Sequence, residues 1–161
     1  MREVTVKLAE KVRTGAIDKR DAWQALTLTI LEKLEYPLLA LTLTEGECDF
    51  IMAPILQSGL PRAGLCRNIP RALLYGRKEH QGLGLNTLYT TMGIKQIQVL
   101  LDNVCENIVT GDLIRVSMET LKIEMGIKGS IFKSNYELYG SLATDCWVKQ
   151  LWEFSYTNQL K

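Results

Sequence analysis

Apolar side chains recur at helical spacing along nearly the whole chain. Val4, Leu8 and Val12 repeat every fourth residue, and Gly15 follows as a stop. From Lys19 to Glu35, the residues Ala22, Trp23, Leu26, Ile30, Leu31 and Leu34 gather on one face. Asp18 is placed to cap that helix, and Asp21 lies in its first turn, where the helix dipole favours an acid. Pro37 predicts its end at or before Tyr36. Thr44-Glu45-Gly46-Glu47 has the form of a capping box. It predicts a helix carrying Phe50, Ile51, Ile55 and Leu56, kinked or shortened by Pro54 and closed by Gly59.

From Gly59 to Gly84 the chain is punctuated by Pro61, Gly64, Pro70, Gly76 and Gly82, which reads as loop around one short helix, Arg71–Tyr75, begun at Pro70. Regular helix resumes near Thr87, with Leu88, Met92, Gln96 and Val99 beside Ile94, Ile97, Leu100 and Leu101. Thr110 is placed to cap a helix with Leu113, Ile114, Met118, Leu121 and Met125 along one side and Gly126 at its end. A short segment, Tyr136–Tyr139, precedes a last helix opened by Thr144-Asp145 and bearing Trp147, Val148, Leu151, Trp152 and Phe154. Ala40–Thr44 and Ser130–Lys133 are weak strand candidates. The pattern predicts an all-α fold, an irregular bundle of about six main helices with a Gly/Pro-punctuated hinge near 59–86.

Composition agrees with a folded chain. At 161 residues, 47% hydrophobic and 23% charged, the sequence suits one domain, 1–161, with a real core, and not a disordered chain. The start, Met-Arg-Glu-Val-Thr-Val-Lys, lacks an apolar signal core, and the most apolar stretch, Tyr36–Leu43, is far short of the ~20 residues of a membrane span. Cys48, Cys66, Cys105 and Cys146 form no CxxC, and His80 is the only histidine, so zinc-ligand spacing is missing. The cysteines read as reduced, buried thiols of an intracellular protein, cytoplasmic or nuclear.

Candidate chemistry is sparse. There is no GxSxG, and no two aspartates are adjacent, so no catalytic, cofactor-binding or metal-binding residue is expected. Gly82-Leu83-Gly84 lacks the third glycine of a dinucleotide fingerprint and the Lys-Ser/Thr of a P-loop, and reads as a tight turn between helical layers. The three tryptophans sit at helical spacing among aliphatics, as core residues do; Trp147 and Trp152 are alternatively a partner surface.

Charge adds more. The net charge is only +1, but residues 50–78 carry Arg62, Arg67, Arg71, Arg77 and Lys78 and no acid. Residues 1–49 carry 7 basic and 9 acidic side chains, and residues 79–161 the same numbers. Four of the five central cations are arginines, whose fork fits phosphate. Their Gly and Pro neighbours put them on loops and helix ends, where backbone amides are expected to be free as well. Two readings stay open: a phosphate-contacting strip, with Tyr75 stacking a base or sitting in the core, or a solvated loop whose arginines pair with the acidic flanks.

Several short motifs together resemble a known family. They are Asp21-Ala22-Trp23-Gln24-Ala25-Leu26, Leu34-Glu35-Tyr36-Pro37-Leu38, Gly59-Leu60-Pro61, Ile69-Pro70-Arg71, Tyr75-Gly76, Gln81-Gly82-Leu83-Gly84-Leu85 and Leu88-Tyr89. Their order resembles the region after the palm in reverse transcriptases of LINE-type (non-LTR) retrotransposons, over roughly residues 1–155. The resemblance implies thumb-like helices at 1–58, a basic hinge at 59–86 and connector-like helices at 87–161. The family's aromatic-x-Asp-Asp hairpin is absent, and the first glycine of its double glycine is Gln81 here. The resemblance therefore implies a fragment, or a remnant expressed on its own, that lacks the polymerase core. The implied function is a non-catalytic module touching an RNA or DNA duplex weakly and without sequence preference through Arg62, Arg67, Arg71, Arg77 and Lys78. The implied partners also include the missing polymerase core or another protein, and no membrane. The alternative is a helical scaffold or protein-interaction domain with no nucleic-acid role.

Overall fold

A computed structural model describes residues 1–160. The fold is all-α, with no strand among the described residues. The chain divides into two compact units: Met1–Leu38 with Leu43–Thr91, and Leu39–Thr42 with the residues from Met92 onward.

In the first unit, α1 spans Arg2–Thr14, α2 Lys19–Gln24, α3 Leu31–Leu38, α4 Glu45–Arg62 and α5 Arg71–Tyr75. α1 and α2 both pack on α4. The apolar phase of α1 differs from the expected one: Thr5, Ala9 and Val12 are buried, while Val4 is exposed. Thr5 is accommodated because its hydroxyl donates to Arg2 O at 2.7 Å. Between α2 and α3 the helix widens into a π-helical turn, Ala25–Ile30, in which Leu31 N–H reaches back five residues to Leu26 O. Thr27 Oγ1 donates to Trp23 O there, a back-bond that loosens a regular ladder. Ala22, Leu26, Ile30, Leu34 and Leu38 are buried, whereas Trp23 is only half-buried.

Proline did not stop the helices where the sequence predicts. α3 passes Pro37 to Leu38, and α4 contains both Pro54 and Pro61 and continues beyond Gly59 to Arg62. Each internal proline costs about 3 kcal/mol in a helix, but burying an aliphatic side chain returns about 1.5–3 kcal/mol, and α4 buries Ile51, Met52, Ile55, Leu56 and Leu60. Gly59 is a buried packing position facing the Leu26 methyls and not a stop. The capping box is present: Glu47 N–H donates to Thr44 Oγ1 at 3.3 Å, and Thr44 N–H to Glu47 Oε2 at 2.8 Å. The Thr44 N–H and the Thr44 hydroxyl, which donates to Glu47 Oε2 at 2.9 Å, hold the Glu47 carboxyl below the usual glutamate value. Phe50 is not in the core; it is exposed, with the Arg2 guanidinium 3.4 Å from its ring centroid.

α6, Leu88–Asn103, crosses the division between Thr91 and Met92. In the second unit follow α7, Val109–Met125, α8, Tyr136–Tyr139, and α9, Trp147–Thr157. Leu121, Met125, Ile131, Ala143, Val148 and Trp152 form one core cluster, and Leu100, Ile114 and Leu151 another. Trp152 is fully buried, meets Tyr136 edge-on at 4.9 Å, and donates its indole N–H to Ser134 O at 3.3 Å. The 39–42 segment is no strand; it is held by Gln96 Nε2 on Leu41 O at 2.8 Å and by Trp147 Nε1 on Leu39 O at 3.0 Å. Trp147 and Trp152 are thus packing residues of this unit. Ser130–Lys133 forms a 3-10 turn in place of the other candidate strand. On α7, Ile114, Leu121 and Met125 face inward while Leu113 is exposed; the N-cap position is Ile108, which makes no side-chain cap, and Thr110 lies inside the helix.

Candidate nucleic-acid interface

The five central cations lie in the first unit, at the end of α4, on α5 and on the loops around it. The acid-free stretch leaves them no carboxylate three or four residues away, the distance at which helical ion pairs form. The outcome follows. Among the described residues, none of Arg62, Arg67, Arg71, Arg77 and Lys78 has a carboxylate within 4.0 Å.

They are not equivalent. Arg67, Arg71, Arg77 and Lys78 are exposed. Arg62 is half-buried, and its guanidinium donates to Arg13 O at the end of α1, so it serves the packing of α1 on α4. Arg71 stands 6.0 Å from the centroid of the half-buried Tyr75 ring. Burial pushes the Tyr75 phenol up, the Arg71 charge opposes that, and Asp49 adds to it. Lys78 lays its aliphatic stem over Gly84, which has φ +69°. Its ammonium is left with no carboxylate partner.

The loop from Gly76 to Leu85 is folded back on α5. Leu83 N–H donates to Leu73 O, Leu85 N–H to Leu74 O and Gly84 N–H to Gly76 O, at 2.9–3.1 Å. Gly82 N–H donates to Arg77 O, His80 N–H to Arg77 O and Gln81 N–H to Lys78 O, at 3.0–3.1 Å. The Leu83 and Leu85 amides thus close the carbonyl end of α5, while among the described residues the N–H groups of Arg77, Lys78 and Glu79 meet no backbone acceptor and stay open beside the cations. Gly82 and Gly76 bring their backbones together, and a Cβ on Gly82 would overlap Gly76. Gln81 takes the left-handed conformation, φ +62°, in which glycine is favoured. The loop is a tight turn, bonded to itself and to α5, that presents the Arg77 and Lys78 side chains.

The remaining chemistry is modest. The cysteines are free thiols, but only Cys48 is buried; Cys66 and Cys105 are exposed and Cys146 is half-buried, which corrects the expectation of four buried thiols. Burial, then Asp49, Glu47 and Glu45, pushes the Cys48 thiol up to about 11. Among the described residues no three His, Cys, Asp or Glu side chains converge on a metal-sized site, and no helix is long and apolar enough to cross a membrane. No protein-family model, curated protein or solved structure matches this chain.

Proposed function

We propose that the protein is a non-catalytic helical module that contacts nucleic-acid backbone through Arg67, Arg71, Arg77 and Lys78, and that it derives from the post-palm region of a LINE-type reverse transcriptase. The observation that carries the reading is a run of four exposed cations with no carboxylate within ion-pair reach among the described residues. Unpaired, exposed arginines supply affinity for phosphate without reading bases. Arg62 drops out of the contact set because its guanidinium is already engaged on Arg13 O.

The test is fluorescence anisotropy with a labelled RNA–DNA primer–template duplex over a range of salt. Affinity at physiological salt is in the non-specific range of roughly 10⁻⁴–10⁻⁶ M, and log affinity falls with log salt at a slope of about −3 to −4 for three to four phosphates. Arg67→Gln/Arg71→Gln/Arg77→Gln cuts that slope by about 2–3. Lys122→Gln, on a lysine already held by Glu119, leaves it nearly unchanged. An unchanged slope in a folded triple variant, or no binding at low salt, overturns the proposal and leaves a helical protein-interaction domain as the reading.

A further inference from the structure

The second unit holds a cavity of about 910 Å³, near the upper end of the roughly 300–1,000 Å³ of small-molecule sites. One wall comes from the segment Ser130 to Glu137, and the other from the end of α9 and the residues after it, Ser155 to Leu160. Both walls are fixed by the fold. Trp152 Nε1 donates to Ser134 O at 3.3 Å, and Asn135 Oδ1 accepts from Glu137 N–H at 2.9 Å. Leu160 N–H donates to Ser155 O at 2.9 Å and Gln159 N–H to Tyr156 O at 3.1 Å, so the chain after α9 turns back on the helix end. A ligand therefore meets a site whose backbone is already ordered.

Six of the eleven lining residues are neutral and polar: Ser130, Ser134, Asn135, Ser155, Thr157 and Gln159. Their hydroxyls and amides both donate and accept, which suits a ligand that does the same at many points. Ser155 carries the argument furthest. It keeps only 6% of its surface exposed, yet its hydroxyl has no hydrogen-bond partner among the described residues. On α7, Ser117 Oγ and Thr120 Oγ1 return to the carbonyls four residues before them, Leu113 O and Val116 O, at 2.8 and 2.9 Å. The Ser155 hydroxyl does not, and is left open to the cavity. The charges of the lining cancel. Lys133 and Glu137 are both exposed, one of each sign, and neither is ion-paired among the described residues. The lining thus has no net charge to favour an anion or a cation. Half-buried Phe132 and exposed Tyr156 add ring surface against which the apolar face of a pyranose packs.

From the neutral polar lining and the unpaired Ser155 hydroxyl within it, we propose that this cavity binds a short neutral oligosaccharide, with Ser155 bonded to a ring hydroxyl and Tyr156 against a ring face. The proposal is independent of the nucleic-acid reading, which rests on the first unit. It is tested on the isotope-labelled full chain by NMR titration with maltotriose, cellotriose and triacetylchitotriose, and with trigalacturonate as the charged counterpart. At least one neutral trisaccharide shifts the amides of Ser130 to Glu137 and Ser155 to Leu160 saturably. It binds more tightly than trigalacturonate, with an affinity indifferent to salt. Ser155→Ala weakens that sugar by about three- to tenfold, the worth of one hydrogen bond, and Tyr156→Ala weakens it at least as much. Circular dichroism checks that both variants keep their helicity; should Ser155→Ala lose it, Tyr156→Ala carries the test. No shift with any neutral trisaccharide, tighter binding of trigalacturonate, or a sugar indifferent to the folded variants overturns the proposal.

Discussion

Two sets of cations, one in each unit, are treated differently by the fold. In the second unit, Arg115, Lys122 and Lys149 each reach an acid one turn away, Asp112, Glu119 and Asp145, at 2.5–2.7 Å. Their side chains are drawn in, with 36%, 24% and 15% exposure. In the first, Arg67, Arg71, Arg77 and Lys78 stand exposed with no acid in reach. The cause is local. An acid lies three or four residues before each of Arg115, Lys122 and Lys149, whereas the stretch 50–78 holds no acid. A nearly neutral total thus hides one set of cations paired within the protein and another with no acid in reach. Two tryptophans differ as well: Trp23 in the first unit is half-buried, and Trp152 in the second is completely enclosed.

The largest expected effect tests the aromatic side of this contrast. Trp152→Ala costs about 3–5 kcal/mol, the range for truncating an enclosed aromatic, and Trp23→Ala about half as much. Urea unfolding of both variants measures it, and equal losses would erase the distinction between the two sites. The second test concerns the loop that displays the cations. Gly82→Ala costs about 1–3 kcal/mol, because its Cβ meets the Gly76 backbone. Gln81→Gly next to it stabilises by up to about 1 kcal/mol, because it relieves a left-handed side-chain residue. Thermal melts showing the same sign for both would mean that the loop does not hold the conformation described. The smallest effect bears directly on the charges. Lys149→Met costs about 1–2 kcal/mol through its lost bonds to Ala143 O and Asp145, while Arg67→Gln stays within about 0.5 kcal/mol. An Arg67→Gln loss as large as that of Lys149→Met would show that Arg67 is part of the fold and not a reserve of charge.

Features set by interactions within about four residues were legible in the sequence. The all-α class followed from apolar spacing, the capping box from Thr44 and Glu47, the short helix from Pro70, and the end of α7 from Gly126, which takes φ +68°. The candidate strip was legible too, as an acid-free run, because pairing partners on a helix must lie close in sequence. The features that escaped depend on what a residue meets from far along the chain. Arg62 reads as one of five similar cations until α1 brings the Arg13 carbonyl to it. The turn around Gly82 and Gly84 reads as a connection until Leu83 and Leu85 N–H are seen to close the end of α5.

By itself the sequence determined that the chain is helical, where the caps of α4 and α5 fall, and which cations have no local acid. Tertiary structure decided which face of each helix is inside. α7 shows why: its two apolar faces are equally helical in spacing, and only the packing against Val148, Leu151 and Trp152 selects Ile114, Leu121 and Met125 over Leu113 and Val116. The same holds for Pro54 and Pro61, whose local cost is overridden by aliphatic burial along α4. Periodicity says that a face is apolar; burial depends on surfaces that come together only when distant segments fold against each other, as when Trp147 donates to Leu39, 108 residues away.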